Sequence, residues 1–141
     1  MLYQDTKESR HVKSYEFDLI SKEHVEGQFK QNNVDQGSNM LIAVPAPLGG
    51  CIVIGEQTVT WVGGAGRNRS ISMEMTIIKA YGRVDDDGLR YLLGDCLGNL
   101  YILILLVENN AVIELKLDRI GEVLIFLFLR TYCQRANLSF C

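Results

Sequence analysis

Short apolar runs separated by turn residues recur along this sequence, and no segment has the sustained apolar spacing of an amphipathic helix. The runs are rich in β-branched and aromatic residues, as in residues 51–54 and 58–62. The 13 glycines, with Asn and Asp, supply the turns between them. Runs of this kind, bounded by Gly, Pro, Asn and Asp, are typical of β-strands. The sequence therefore predicts an all-β fold.

The clearest single element is a β-hairpin predicted within residues 80–95, AYGRVDDDGLRYLLGD. Val84 ends its first strand, an acidic turn follows, and an apolar run resumes over residues 90–93. Glycine adopts a positive φ at little cost, so Gly88 is expected to occupy the left-handed position of the turn.

Further strands are predicted from the other apolar runs. Residues 2–3 and the alternating Tyr15, Phe17 and Leu19 are expected to pair around a polar turn at residues 5–10. The polar stretch 21–38 predicts a loop or a weak strand anchored by Val25 and Phe29, and residues 63–68 predict a flexible loop. The remaining predicted strands are residues 40–44, 51–54, 58–62, 77–84, 90–93, 100–107 and 111–117.

The order of strands and turns also repeats. Residues 41–62 and 91–117 both read as strand, turn, strand, turn, strand, at an offset of roughly fifty residues, which is the scale of a propeller blade. We therefore expect these segments in two consecutive antiparallel blades. The chain has room for about three four-stranded blades, whereas closed rings use about four to eight, so the sequence predicts a β-propeller fragment.

The charge balance argues against a nucleic-acid-binding face. The 14 Lys and Arg residues are outnumbered by 17 Asp and Glu residues, and the densest basic cluster is only Arg67 with Arg69. Phosphate binding needs clustered cations, so no strong direct binding of nucleic acid is expected. The apolar run at residues 123–129 is far shorter than the roughly 20 residues of a spanning helix, so no membrane partner is predicted.

The four cysteines are not spaced as metal ligands. Cys51, Cys96, Cys133 and Cys141 form no C-x-x-C pair, and the two histidines lie far from them in the sequence. They are interpreted as reduced, mostly buried thiols of a nuclear or cytosolic protein.

An acidic cluster invites a comparison with calcium loops. Asp85, Asp86, Asp87 and Asp95 lack the alternating ligand order and the closing Glu of such a loop. A solvated hairpin turn accounts better for this cluster, and no metal ligand is predicted.

Three other features have both a functional and a structural interpretation. His11 lies beside basic residues, but no nucleophile is placed to meet it, so a local hydrogen bond is expected. Trp61 and Tyr81 are partner-binding candidates, although strand aromatics are more often core residues. The glycines at 49–50 and 63–66 precede no helix that would hold a phosphate. No catalytic, cofactor-binding or metal-binding residue is therefore predicted, and the chain is expected not to be an enzyme.

Several runs in the sequence resemble one known family, the large subunits of the damaged-DNA-binding protein, which are adaptors of cullin-4 ubiquitin ligases. The resemblance extends from about residue 3 to about residue 123, and the block at residues 79–95 is similar to plant versions. The other runs that carry it are residues 3–5, 10–13, 31–33, 42–45, 54–55 and, more weakly, 117–122.

The resemblance implies a fold and a role. In the family these segments belong to the first of three seven-bladed propellers, which docks substrate receptors, whereas the second propeller binds the cullin. It implies a partial first propeller at residues 1–122, a non-enzymatic scaffold without cofactors, and a place in ubiquitination and nucleotide excision repair in the nucleus and cytoplasm. Its implied partners are the substrate receptors of the ligase and the other propellers of a full-length protein.

Two departures from the family pattern stand out. Residues 123–141 form an apolar tail that diverges from the family, and residues 63–75 contain no proline where the family leads us to expect some. Three alternatives stay open. The first is a fragment of a paralogous RNA-processing propeller protein, such as the large subunit of a cleavage-and-polyadenylation or splicing factor. The second is an all-β hydrolase or lyase, and the third is an inactive truncated product.

Overall fold

The fold, taken from a computed structural model that describes residues 1–64 and 67–121, consists of β-strands in three antiparallel sheets. The first sheet is formed by β1 (Leu2–Gln4), β2 (Arg10–Asp18) and β3 (Glu23–Val34). The second is formed by β4 (Met40–Ala43), β5 (Cys51–Ile54), β6 (Thr58–Val62) and β7 (Arg69–Ser72). The third is formed by β8 (Ile78–Arg83), β9 (Arg90–Asp95), β10 (Leu100–Glu108) and β11 (Ala111–Gly121). Each sheet is a meander in which consecutive strands pair. The prediction of an all-β fold is confirmed.

The second sheet is buried on both faces. Successive strand residues point to opposite faces. Both faces of β5 are apolar, and β6 places Val59 and Trp61 on one face and Val62, beside two threonines, on the other. One face packs against the third sheet in a core that includes Ile52, Ile54 and Trp61. The other face packs against the first sheet through Val53 and Val62. A four-stranded sheet covered by a sheet on each side is the arrangement of a propeller blade between its neighbours.

The repeat is real, but its interval differs from the one expected from the sequence. Residues 41–62 fall in the first three strands of the second sheet, and residues 91–117 fall in the last three strands of the third. Equivalent first strands begin at residues 40 and 78, and equivalent last strands at residues 69 and 111, so the interval is 38–42 residues. The expected offset of roughly fifty residues is wrong because the two segments compared are not equivalent. One begins in the first strand of its sheet and the other in the second strand of its sheet.

Two strands differ from the sequence prediction, which gave residues 21–38 as a loop or a weak strand and gave no strand at residues 69–72. The polar stretch 21–38 contains the 12-residue strand β3, which pairs along β2 from Arg10↔Val34 to Asp18↔Glu23. Phe29 does pack against the core between the first two sheets, but Val25 is 63% exposed and anchors nothing. The short strand β7 begins at Arg69, directly after the residues predicted as a flexible loop. Both strands have mainly polar, exposed side chains, so their pairing is decided by neighbouring strands.

The first hairpin of the chain also differs from expectation at its far end. Tyr15 is half-buried, but Phe17 and Leu19 are 76% and 90% exposed. They lie beyond the reach of β1, which pairs with β2 only opposite residues 10–12.

No helix with the length and hydropathy needed to cross a bilayer occurs in residues 1–64 and 67–121. The tail at residues 123–141 lies outside the described residues.

Candidate docking surface

Acidic side chains in this fold stabilise turns. Within residues 1–64 and 67–121, no group of three His, Cys, Asp or Glu residues is placed to hold a metal ion. Several aspartates instead accept backbone N–H groups from the turn that follows them. They are Asp5, Asp18, Asp35, Asp85 and Asp95.

Asp95 is the most deeply buried of these carboxylates, with no exposed surface. Its Oδ1 accepts hydrogen bonds from the backbone N of Leu97 (2.9 Å) and of Asn99 (2.8 Å). Its Oδ2 accepts from Thr76 Oγ1 (2.9 Å), Asn99 Nδ2 (2.8 Å) and the Tyr101 hydroxyl (3.2 Å). Burial raises the pKa of Asp95, but the hydrogen bonds from Asn99, Thr76 and Leu97 outweigh it, so the pKa lies below the ordinary value. Asp95 is therefore an ionised hydrogen-bond acceptor that stabilises the turn between β9 and β10.

The remaining members of the acidic cluster do not converge with Asp95. Asp85 accepts from Arg90 Nε at 2.7 Å and from the backbone N of Leu89 and Arg90, both at 3.2 Å. The Arg90 side chain is the main cause of the lowered pKa of Asp85. Asp85 precedes strand β9 and Asp95 ends it, so the two carboxylates lie at opposite ends of one strand. The hairpin-turn interpretation is confirmed, with Gly88 at φ +68°.

His11 makes the local contacts expected of a strand histidine. The backbone N of Asn33 donates to its Nδ1 (3.3 Å), which assigns the ring proton to Nε2, and Nε2 then donates to Asp5 Oδ2 (3.0 Å). This hydrogen bond is the main cause of the lowered pKa of Asp5. The ring also stacks on Tyr3, with centroids 5.2 Å apart. His11 thus links β1, β2 and β3.

The two aromatic candidates differ in burial. Trp61 is a core residue, as expected, and its ring N–H donates to the Gly49 carbonyl at 3.2 Å. Tyr81 is 38% exposed, so the expectation that it is buried is wrong. It lies on β8, which is an edge strand of the third sheet as described.

The thiols are less buried than expected. Cys51 is half-buried, and burial raises its pKa. Cys96 is exposed in the turn after β9, which corrects the interpretation of mostly buried thiols. Both are free, and Cys133 and Cys141 lie outside the described residues.

An open groove of about 480 Å³ lies between the first and second sheets. Asp35 is its one charged lining residue, and the groove is otherwise lined mainly by amides and hydroxyls: Gln31, Asn33, Val34, Gln36, Gln57, Thr58, Thr60 and Ser70. We call this the interblade groove. It could not be predicted from the sequence because its residues come from β3, β6, β7 and two turns, and no local pattern joins them.

Hydrogen bonds to Asp35 hold one side of the interblade groove in place. Asp35 Oδ2 accepts from the backbone N of Gln57 (2.8 Å) and of Thr58 (3.0 Å), which ties the β5–β6 turn to the end of β3. Burial opposes ionisation of Asp35, but these bonds and one from Gly37 keep its pKa below the ordinary value. Gln36 and Gln57 are exposed at the rim. Neutral amides and hydroxyls can hydrogen-bond the backbone of an extended polypeptide, whereas phosphate recognition calls for cations.

Three consecutive antiparallel sheets, the middle one covered on both faces, define this chain as a β-propeller protein. The family model described as RSE1/DDB1/CPSF1 first beta-propeller matches residues 1–125. The chain belongs to this family.

Curated relatives agree with this assignment. The chain is 52% identical over 122 residues to DNA damage-binding protein 1 of Oryza sativa subsp. japonica. It is 48% identical to DNA damage-binding protein 1b and 47% identical to DNA damage-binding protein 1a of Arabidopsis thaliana, over the same length. Each match covers 86% of this chain and 11% of the relative, so the chain spans about a tenth of the length of these proteins. The plant-like resemblance expected from residues 79–95 is confirmed.

Proposed function

We propose that this chain acts as a non-enzymatic scaffold, as part of a cullin-4 ubiquitin ligase adaptor whose first propeller docks substrate receptors. The observation that carries the proposal is the 52% identity to a DNA damage-binding protein 1. The role in ubiquitination and nucleotide excision repair, and a location in the nucleus and cytoplasm, belong to the same proposal. Within it, residues 1–122 form the scaffold part and residues 123–141 a divergent tail.

The geometry of the described residues supports a scaffold role. The buried carboxylate of Asp95 is fully engaged with its own turn, and His11 is held between Asp5 and Asn33. Neither group is arranged beside a nucleophile as a catalytic acid or base would be. The interblade groove offers neutral hydrogen-bonding groups instead, and we assign to it the docking of a receptor segment.

The proposal is tested by exchanging propeller segments. Residues 1–122 replace the matching segment of the rice relative, and the chimera is assayed for binding of a cullin-4 substrate receptor and, separately, of the cullin. We expect both interactions to be retained. Loss of receptor binding with cullin binding intact would contradict the proposal. The same exchange into a paralogous RNA-processing propeller protein tests the alternative that this chain is part of such a protein. If the alternative is right, this second chimera should assemble with the partners of the RNA-processing protein.

A second experiment tests whether the interblade groove is the docking surface. Gln36→Trp and Gln57→Trp place bulky rings at the rim of the interblade groove, while Lys79→Trp on β8 is a control at an exposed residue away from it. The groove variants should weaken receptor binding at least about tenfold, as expected when a contact surface is blocked. Equal binding by all three variants would remove the groove from the proposal and leave the scaffold role to the chimeras.

A further inference from the structure

The β2–β3 hairpin extends beyond the rest of its sheet. β1 pairs with β2 only at Leu2↔Val12, Tyr3↔His11 and Gln4↔Arg10. The pairing of β2 with β3 continues further, from Tyr15↔Glu26 to Asp18↔Glu23. Residues 15–26, which we call the hairpin tip, therefore form a two-stranded ribbon in the described part of the chain.

Large apolar side chains at the hairpin tip are exposed. Ile20 is 94% exposed, Leu19 90%, Phe17 76% and Val25 63%. Val25 lies opposite Glu16 and Phe17 opposite His24, so these two apolar residues occupy different faces of the ribbon. Leu19 and Ile20 lie in the turn itself. Large exposed apolar groups gathered at one end of a hairpin are typical of interaction sites.

The exposed turn has a defined conformation. Asp18 Oδ1 accepts a hydrogen bond from the backbone N of Ile20 (2.8 Å), and Oδ2 accepts from Ser21 Oγ (3.0 Å). The backbone N of Lys22 donates to the carbonyl of Asp18 (2.9 Å). Leu19 and Ile20 are thus held outward by a hydrogen-bonded turn.

An aromatic row supports one side of the hairpin tip. The rings of Tyr15 and His24 meet edge to face with centroids 5.6 Å apart, and the ring of Phe17 lies 6.2 Å from that of His24. The row lies on the face of the ribbon opposite Val25 and helps to hold the two strands of the hairpin tip together.

The charge around these apolar groups is negative. The hairpin tip carries Glu16, Asp18, Glu23 and Glu26 against Lys22, an excess of three negative charges that equals the net charge of the whole chain. Glu26 pairs with Lys13 at 2.6 Å, so Glu16 and Glu23 are the acidic groups best placed to meet a partner. A surface of this sign disfavours phosphates, anionic lipids and a second copy of itself.

We propose that the hairpin tip docks a cationic amphipathic segment of a partner protein. The apolar face of the segment covers Leu19, Ile20 and Val25, and its Lys or Arg side chains meet Glu16 and Glu23, which lie on the same face of the ribbon as Val25. This surface is separate from the interblade groove, and its test uses no receptor, so it can fail or succeed independently of the function proposed above.

The test measures peptide binding to the full 141-residue chain, immobilised at low density. The probe is a synthetic helical peptide of about 18 residues made of Leu, Lys and Arg, with the leucines on one face. A scrambled peptide of the same composition and charge is the reference. We expect the amphipathic peptide to bind at least tenfold more tightly than the scrambled one at physiological salt. Equal binding of the two peptides would overturn the proposal, because charge alone would then explain it.

Variants locate the contact. Ile20→Ser with Val25→Ser should weaken binding of the amphipathic peptide at least tenfold. The matched control is Met75→Ser with Leu97→Ser, which removes two apolar groups of 71% and 72% exposure elsewhere and should leave binding unchanged. Glu16→Lys with Glu23→Lys keeps the apolar groups, and should weaken binding and reduce its salt dependence.

Three outcomes would contradict the proposal. Unchanged affinity of the Ile20/Val25 variant would exclude the hairpin tip. An equal loss in the control variant would show nonspecific adhesion. Sedimentation in which the Ile20/Val25 variant abolishes self-association, with peptide binding unaffected, would assign the surface to a second copy of the chain.

Discussion

Gly88 in the β8–β9 turn lies directly against the ring of Pro45 in the loop after β4. A Cβ built on Gly88 would overlap Cδ and Cγ of Pro45 and would lie 2.9 Å from the Tyr91 hydroxyl oxygen. Gly88 also has φ +68°, which L side chains rarely adopt. A turn of the third sheet and a loop of the second are therefore fitted together at this glycine.

Gly88→Ala should destabilise the fold by about 2–4 kcal/mol, because it adds a clash to the cost of a positive φ. The free energy of unfolding by urea measures this. In a double-mutant cycle with Pro45→Ala, removal of the proline ring should recover part of the loss. Strict additivity of the two substitutions would show that the contact with Pro45 contributes nothing.

Asp95→Asn should destabilise the protein by about 2–3 kcal/mol, since an amide nitrogen would replace a buried charged acceptor among several donors. The matched control is Asp86→Asn, whose fully exposed side chain is 3.9 Å from Arg83. The control should change the free energy of unfolding by less than about 0.5 kcal/mol. Similar values for the two variants would refute the structural role assigned to Asp95.

Stability should fall on acidification. The pKa values of Asp35, Asp85 and Asp95 all lie below the ordinary value of 3.8 in the folded protein. Their ionised forms therefore stabilise the fold above pH 3.8, and this contribution is lost as the pH falls through the lower folded-state values. Urea midpoints measured from about pH 7 down to about pH 2.5 should decrease mainly below about pH 4. The decrease should be smaller for Asp95→Asn, and a midpoint that rises on acidification would contradict the assignment.

The chain alone should show no appreciable affinity for damaged or undamaged duplex DNA at physiological salt. Its net charge is −3, and several cations are already engaged. Arg90 pairs with Asp85, Lys13 pairs with Glu26, and Arg69 donates to the carbonyl of Ile113. Fluorescence anisotropy of a labelled duplex tests this, and a salt-sensitive rise at micromolar protein would contradict it.

The isolated chain should self-associate as its concentration rises. On the third sheet, half-buried apolar residues alternate with the buried residues that face the second sheet. The half-buried residues belong to neither apolar cluster of the described residues. They are Leu92, Ile102, Ile104 and Leu106. Propeller blades need neighbours on both faces, and the apolar window at residues 124–129 adds to the tendency to associate. Sedimentation should therefore give masses above the 15.9 kDa of one chain.

The same chain spliced into a complete family member, through residues 1–122, should be monomeric. A cooperatively unfolding monomer of the isolated 141 residues would refute this prediction. It would also refute the expectation that the tail from residue 123 onward does not pack as a native blade strand.

Local chemistry made part of this fold predictable from the sequence. The β8–β9 hairpin is determined by residues close in the chain, because Asp85 accepts backbone N–H groups from its own turn and Gly88 takes the positive φ. Strands β3 and β7 could not be predicted in the same way. Their exposed polar side chains carry no strand pattern, and each is formed by pairing with a neighbouring strand.

The interblade groove could not be predicted from residues close together in the sequence, for a related reason. Asp35 follows β3, but its carboxylate accepts from Gln57 and Thr58, more than twenty residues away. The exposure of Phe17 and Leu19 likewise depends on where β1 stops pairing with β2. Such relationships exist only once the sheets are assembled.

Ile52 and Val53 are adjacent in the chain, yet they belong to two different cores. A one-residue insertion within β5 would reverse the facing of every residue after it, and it would disturb the packing against both neighbouring sheets at once. An insertion at Glu74 or Met75, exposed residues of the connection between β7 and β8, would leave the flanking strands in place. Changes of length that this lineage can tolerate are thus confined to its connections, and the strands of the middle sheet can evolve only by substitution.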